Sequence, residues 1–255
     1  MSVRDTLVKP YAVADDLLAP VRRVQLPRAP RWIAPGGTVH VVARCNNREF
    51  YLTTPDDFAV LLAHLREMCR TYDVVLYAYS LLANHVHLRL QAPTTDALGR
   101  PLRWFLTQTA KTFHTARGRR GHFWERRYRA CLVEDDRYAL AALRSIDRNP
   151  GRAGIVEDPA AYPWSSCAAY ARGTPNPLVT FHPSYLALSS YAAVRQRHYR
   201  ILLAPTDDPR ADSRDPRWTT QPAVGSPAFV APFVRRRPGR PKLARVPSQN
   251  QAVRP

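Results

Sequence analysis

The sequence predicts an α+β fold on three observations. Short apolar runs with strand periodicity alternate with longer runs of helical periodicity, the second and third strand-like runs are joined only by Leu82-Ala83-Asn84, and stretches rich in Pro and Arg without periodicity flank the patterned region. Residues 1–30 read as a basic Pro/Arg-rich arm, with a brief apolar stretch from Tyr11 to Val21. Order begins after the turn signal Gly36-Gly37, where Thr38 to Arg44 is a β-branched run and a first strand. From Asp56 to about Tyr72, Phe58, Leu61, Leu62, Leu65 and Met68 recur at helical spacing, with Thr54 or Asp56 as the cap. Val74 to Ser80 is a second strand and His85 to about Gln91 a third, joined tightly enough to be an antiparallel pair. Leu102 to Ala116 reads as a second helix that ends near Gly118, and Phe123 to Val133 as a fourth strand. A third helix, capped by Asp135 or Asp136, runs to about Arg148 and is stopped by Asn149-Pro150-Gly151.

This β-α-β-β-α-β order is the ferredoxin-like, split βαβ arrangement, an antiparallel sheet with helices on one face. It occupies residues 31–175, followed by a helical extension over 176–205 and a disordered basic tail over 206–255.

Composition narrows the partner. The chain has 255 residues, with 38 Lys and Arg against 20 Asp and Glu, a formal charge of +18. That excess favours a polyanion, nucleic acid above all. Neither a long apolar run nor an amphipathic basic helix is present, which argues against a membrane partner. Cys45, Cys69, Cys131 and Cys167 lie far apart without zinc spacing and read as reduced thiols. With no secretory pattern at the start, a cytoplasmic protein is expected.

The chemistry centres on His85-Val86-His87. Side chains two apart on a strand leave the same face roughly 6–7 Å apart, within reach of one shared metal ion. Half-buried sheet histidines are the plain alternative. On the third helix, Ser145 and Asn149 are four residues apart and face the same way. An Asn149 amide oxygen could complete an oxygen-and-nitrogen site suited to a hard cation such as Mg²⁺ or Mn²⁺, and its plain alternative is a helix stop before Pro150.

Four motifs occur in order: Asn84-His85-Val86-His87-Leu88, Gly121-His122-Phe123-Trp124-Glu125-Arg126-Arg127-Tyr128, Asn149-Pro150-Gly151-Arg152-Ala153-Gly154-Ile155-Val156 and Tyr162-Pro163-Trp164-Ser165-Ser166. Together they resemble the single-tyrosine HUH insertion-sequence transposases, in particular the REP-associated tyrosine transposases, over about residues 30–173. The resemblance implies a metal held by His85, His87 and Asn149, and metal-dependent cleavage and transfer of single-stranded or hairpin DNA. In the family, a tyrosine one helical turn before the asparagine attacks the scissile phosphate. This chain has Ser145 there. A serine oxygen lies about 4 Å nearer the backbone, whereas reacting atoms must come within about 3–3.5 Å, and serine also needs an adjacent base. The alternative to a strand transferase is therefore a catalytically inactive, domesticated protein of the same fold that binds hairpin DNA or RNA. Tyr138 is two turns from Ser145 and reads as packing. Family members often act as dimers, so a homodimer is compatible with the resemblance.

Further contacts to nucleic acid are expected from Trp124, Arg126, Arg127, Tyr128 and Arg129, which mix cations with rings, although strand alternation would divide them between faces. Lys111, Arg117, Arg119, Arg120 and Arg152 extend that path. In the tail, Arg236, Arg237 and Arg240, around Pro238-Gly239-Arg240-Pro241, resemble an AT-hook with Pro238 where an arginine is usual, the alternative being a plain basic tail.

Overall fold

The computed structural model describes residues 36–91, 98–134, 137–205 and 215–233. Arg236, Arg237 and Arg240 lie outside the described residues, as do the expected arm and the caps Asp135 and Asp136.

Strands β1 (Thr38–Arg44), β2 (Val75–Leu82), β3 (His85–Gln91) and β4 (Arg129–Val133) form an antiparallel sheet, and β5 (Ala223–Val224) adds to β4 in parallel; the order is β2-β3-β1-β4-β5. Helices α1 (Pro55–Tyr72) and α2 (Gly99–Arg117) fill the two crossovers. The α1 start is fixed by a capping box: Asp57 N–H donates to Thr54 Oγ1 and the Thr54 N–H donates back to Asp57 Oδ2. Such a cap contributes about 1 kcal/mol. Gly118 ends α2 at φ +58, a left-handed conformation that costs a side-chain-bearing residue and that glycine adopts freely.

Strand alternation sorts the sheet into two chemistries. Val39, Val41 and Ala43 of β1 lie beside Leu90, Leu88 and Val86 of β3, and this apolar face is covered by Leu61, Leu65 and Met68 of α1 and Leu102, Phe105 and Phe113 of α2. The reverse face carries His40, Val42 and Arg44 of β1 opposite Arg89, His87 and His85 of β3. Onto it pack α3 (Arg137–Asp147), α5 (Cys167–Arg172), α6 (Pro183–Leu186) and α7 (Ala192–Leu203), through Leu143, Ile146, Tyr170, Tyr185 and Tyr199 around Ala78. The one-face expectation thus holds for α1 and α2, while α3 takes the other side. An apolar stripe shows that a helix packs, not on which face it packs.

Three boundaries differ from expectation. The fourth strand begins only at Arg129: Trp124 makes an isolated bridge to Cys45, the Glu125 N–H donates to Arg44 O at 2.9 Å, and 125–128 bulge out of the ladder. The third helix does not stop at Asn149-Pro150 but resumes as one turn, α4 (Asn149–Arg152), where Pro150 occupies a first-turn position that needs no N–H donor. Beyond 205, the segment 215–233 is ordered. It contains α8 (Arg217–Thr220), β5 and α9 (Pro227–Val230), anchored by buried Trp218 and by the Ser226 N–H and hydroxyl, which both donate to Glu134. One tryptophan and a two-residue bridge carry this docking, too little to register as periodicity.

The Tyr162-Pro163-Trp164-Ser165-Ser166 motif wraps β2. The Tyr162 hydroxyl donates to Leu81 O at 2.6 Å, Ser166 Oγ accepts from the Tyr79 N–H at 3.0 Å, and Trp164 stacks on Phe58 with centroids 5.1 Å apart. All four cysteines are free thiols. No helix among the described residues is long and apolar enough to cross a membrane.

Candidate functional site

The β2–β3 turn delivers His85 at the start of β3, and the next residue on that face is His87; their ring centroids are 5.0 Å apart. His85 is half-buried, whereas His87 is buried. Each ring is held through Nδ1. His85 Nδ1 lies 2.6 Å from Asn84 Oδ1. Asn84 Nδ2 donates to Arg48 O at 3.0 Å, so the amide oxygen is the atom turned to His85. The neutral His85 ring must then carry its proton on Nδ1 and its lone pair on Nε2. His87 Nδ1 lies 3.0 Å from Nε2 of His40 on β1, so Nε2 is the nitrogen through which His87 would ligate. His40 is buried and packs against Trp218, with centroids 5.8 Å apart.

Behind this pair, Arg89 is fully buried and donates from Nη2 to Thr38 Oγ1 at 2.5 Å. The polar stripe of β3 therefore runs from the half-buried His85 to a cation inside the protein.

Asn149 opens α4, buried, on the helical layer that covers the histidine face. Its Nδ2 donates to Ser145 O at 2.9 Å and Ile146 O at 3.2 Å. With the nitrogen committed to helix carbonyls, Oδ1 is the amide atom left for a cation, and oxygen is the donor a hard cation prefers. An amide oxygen is a donor that Mg²⁺ or Mn²⁺ accepts, whereas imidazole nitrogens favour softer divalent ions. Among the described residues, no group of three His, Cys, Asp or Glu side chains gathers as a metal cluster.

Ser145 is half-buried, and its carbonyl also accepts from Arg152 Nη2. The nearest acid in sequence, Asp147, is no base for it, because residues two apart on a helix point to different sides. Asp147 is instead buried against α7, where the Tyr199 hydroxyl donates to Oδ2 at 2.6 Å and Ser166 Oγ lies 3.4 Å from Oδ1. Burial outweighs these hydrogen bonds and pushes its carboxyl up to about 7. Tyr138 packs beside Cys131, Val133 and Trp218.

The aromatic and basic residues of the second motif part company. Tyr128 is buried in the core beneath α1 and α2, and Trp124 is half-buried with Nε1 donating to Leu106 O at 2.9 Å. Both rings serve packing. Arg126, Arg127 and Arg129 are exposed, and because 125–128 leave the ladder, alternation does not separate Arg126 from Arg127. Arg117 is spent on Asp57, reaching both carboxylate oxygens at 2.7 and 2.8 Å, and Arg119 lies over the Tyr51 ring at 4.3 Å. His40 and Asn84, which orient the histidine pair, were not among the expected site residues. The signal for Asn84 was its place immediately before His85, and His40 had only its position in an adjacent strand.

Residues 35–145 match the family model described as "Transposase IS200 like". Among solved structures, the chain is similar to a REP-associated tyrosine transposase bound to a REP hairpin, with 22% identity over 62% of this chain and 93% of that one and a TM-score of 0.49. It is also similar to a candidate transposase from Deinococcus radiodurans R1, with 15% identity over 49% of this chain and 97% of that one and a TM-score of 0.34. No curated protein matches the chain.

Proposed function

We propose, from the match of residues 35–145 to the IS200-like transposase family model, that the chain binds single-stranded or hairpin DNA at the His85 end of its sheet without forming a covalent protein–DNA link. The observation that carries this reading is the oriented pair His85 and His87, set at the sheet end from which the exposed Arg126, Arg127 and Arg129 project. Arginines there neutralise backbone phosphates. His85 and His87 through Nε2, with the Asn149 amide oxygen, would hold Mg²⁺ or Mn²⁺. When bound, such an ion supplies Lewis acidity at a phosphodiester.

Loss of covalent chemistry follows from Ser145. Its hydroxyl falls short of a tyrosine's reach, and the one acid nearby in sequence is locked to Tyr199. The chain's own residues then bind and orient a phosphodiester but offer no activated nucleophile to it.

The test is incubation of the purified chain with labelled hairpin DNA and Mg²⁺ or Mn²⁺, read by native and denaturing gels. Binding in the native gel without an adduct in the denaturing gel is the expected result. An adduct mapped to Ser145 overturns the inactive reading, and preference for matched RNA over DNA at equal salt overturns the DNA assignment.

A further inference from the structure

We propose that Arg44, Arg48 and Arg129 form a phosphate-binding site beside His85, which takes a backbone phosphodiester of the bound strand. The inference rests on the DNA-binding reading above and names the residues that would hold the strand next to the histidines.

Register places the three cations. Arg44 is the last residue of β1 and pairs directly with His85, so the two side chains leave one face with Cβ atoms about 4.5–5.5 Å apart. Arg129, the first residue of β4, pairs with Val42, two residues before Arg44, and shares that face. Its Nη1 donates to Thr219 O at 2.8 Å, which holds the guanidinium in place. Arg48 enters from the turn after β1, where Asn47 and Arg48 have φ of 52° and 59°, a left-handed backbone that residues other than glycine avoid. That turn is fastened to the histidine site, because the Arg48 carbonyl accepts from Asn84, the residue holding His85.

Arg44 is half-buried, and among the described residues its guanidinium makes no ion pair. Burial, Arg48 and Arg129 all lower its pKa, and Glu125 alone opposes them. Like charges held together in a partly desolvated place favour an anion. Guanidinium forks match the tetrahedral oxygens of phosphate. A phosphate in a DNA strand and free inorganic phosphate share that chemistry, and the experiment separates them.

The full chain is titrated by fluorescence anisotropy against a labelled hairpin with a single-stranded flank over a range of salt. Arg44→Gln is expected to weaken binding about tenfold and to lower the slope of log affinity against log salt by about one. Arg197→Gln, which removes the same charge from the exposed side of α7, is expected to change neither. Arg44→Met, which keeps a long stem for packing, carries the test if Arg44→Gln melts early. In parallel, melting is compared in phosphate and chloride at equal ionic strength, and the wild-type chain is expected to gain stability in phosphate that the Arg44 variant does not. If the wild type binds DNA and the Arg44 variant shows the same slope, the site is overturned while DNA binding stands. If the wild type binds no DNA yet shows the Arg44-dependent phosphate effect, the site stands and the DNA reading falls; absence of both overturns both.

Discussion

His85 Nδ1 lies 2.6 Å from the amide oxygen of Asn84, whose own nitrogen is tied to Arg48 O. This contact sets the proton position on a ring proposed to ligate through Nε2. Asn84→Ala is expected to weaken Mn²⁺ binding about 10- to 100-fold, the usual effect of removing a group that orients a histidine ligand. Titration followed by the electron paramagnetic resonance of free Mn²⁺ measures it. Unchanged affinity would show that the contact does not serve a metal.

Ser145→Tyr returns a phenol to the position one helical turn before Asn149. With the hairpin and Mn²⁺, this variant is expected to give a covalent species on a denaturing gel where the wild type gives none. An adduct-free variant that still binds DNA would place the block to cleavage elsewhere than at residue 145.

Asp147 makes stability depend on pH. Its folded pKa of about 7 is above the ordinary 3.8, so the folded state holds the proton more tightly than the unfolded chain. The contribution of Asp147 to stability is therefore greatest below about pH 4, falls as pH rises through the window up to about 7, and levels off above it, a loss on the order of a few kcal/mol. Asp147→Asn, neutral at every pH and still able to accept from Tyr199, is expected to flatten that stretch of the Tm-against-pH curve. An unaltered curve would assign the dependence to other groups.

Gly225 sits where β5 meets the residues after β4. A Cβ there would stand 2.6 Å from Phe229 Cδ1 and 2.7 Å from Glu134 Cβ. The second atom is fixed to the backbone and cannot turn away. Gly225→Ala is expected to cost about 1–3 kcal/mol by overpacking and to loosen 215–233, read as a lower Tm and faster amide exchange at Ala223 and Val224. A Tm equal to wild type would mean that the segment yields without penalty.

The parts of the site that follow local rules were readable before folding. His85 and His87 share a face because strands alternate, and Ser145 and Asn149 share one because four residues make about a turn. What escaped depends on lateral neighbours. His40 reaches His87 only because β1 lies beside β3, and nothing near position 40 announces that pairing. Nothing within Ser145-Ile146-Asp147-Arg148 marks Asp147 as buried; that comes from α7, which brings Tyr199 onto it. The aromatic residues of the second motif were given a stacking role by composition, yet the core took Tyr128 and tied down Trp124. The main crossover order was legible, whereas the side on which α3 lands and the docking of 215–233 were set by contacts between segments far apart in the chain.

The wrapping of β2 bears on how two copies could meet. Along its outer side, the Leu81 N–H donates to Trp164 O, the Ser166 N–H to Tyr79 O and the Thr180 N–H to Leu76 O, each at 2.9 Å. The opposite flank ends in β5, only two residues long. Among the described residues, a further strand thus finds no long open ladder to extend on either side, which discourages edge-to-edge polymerisation. A homodimer of this chain is on that account expected to meet through helix or loop surfaces rather than a shared sheet.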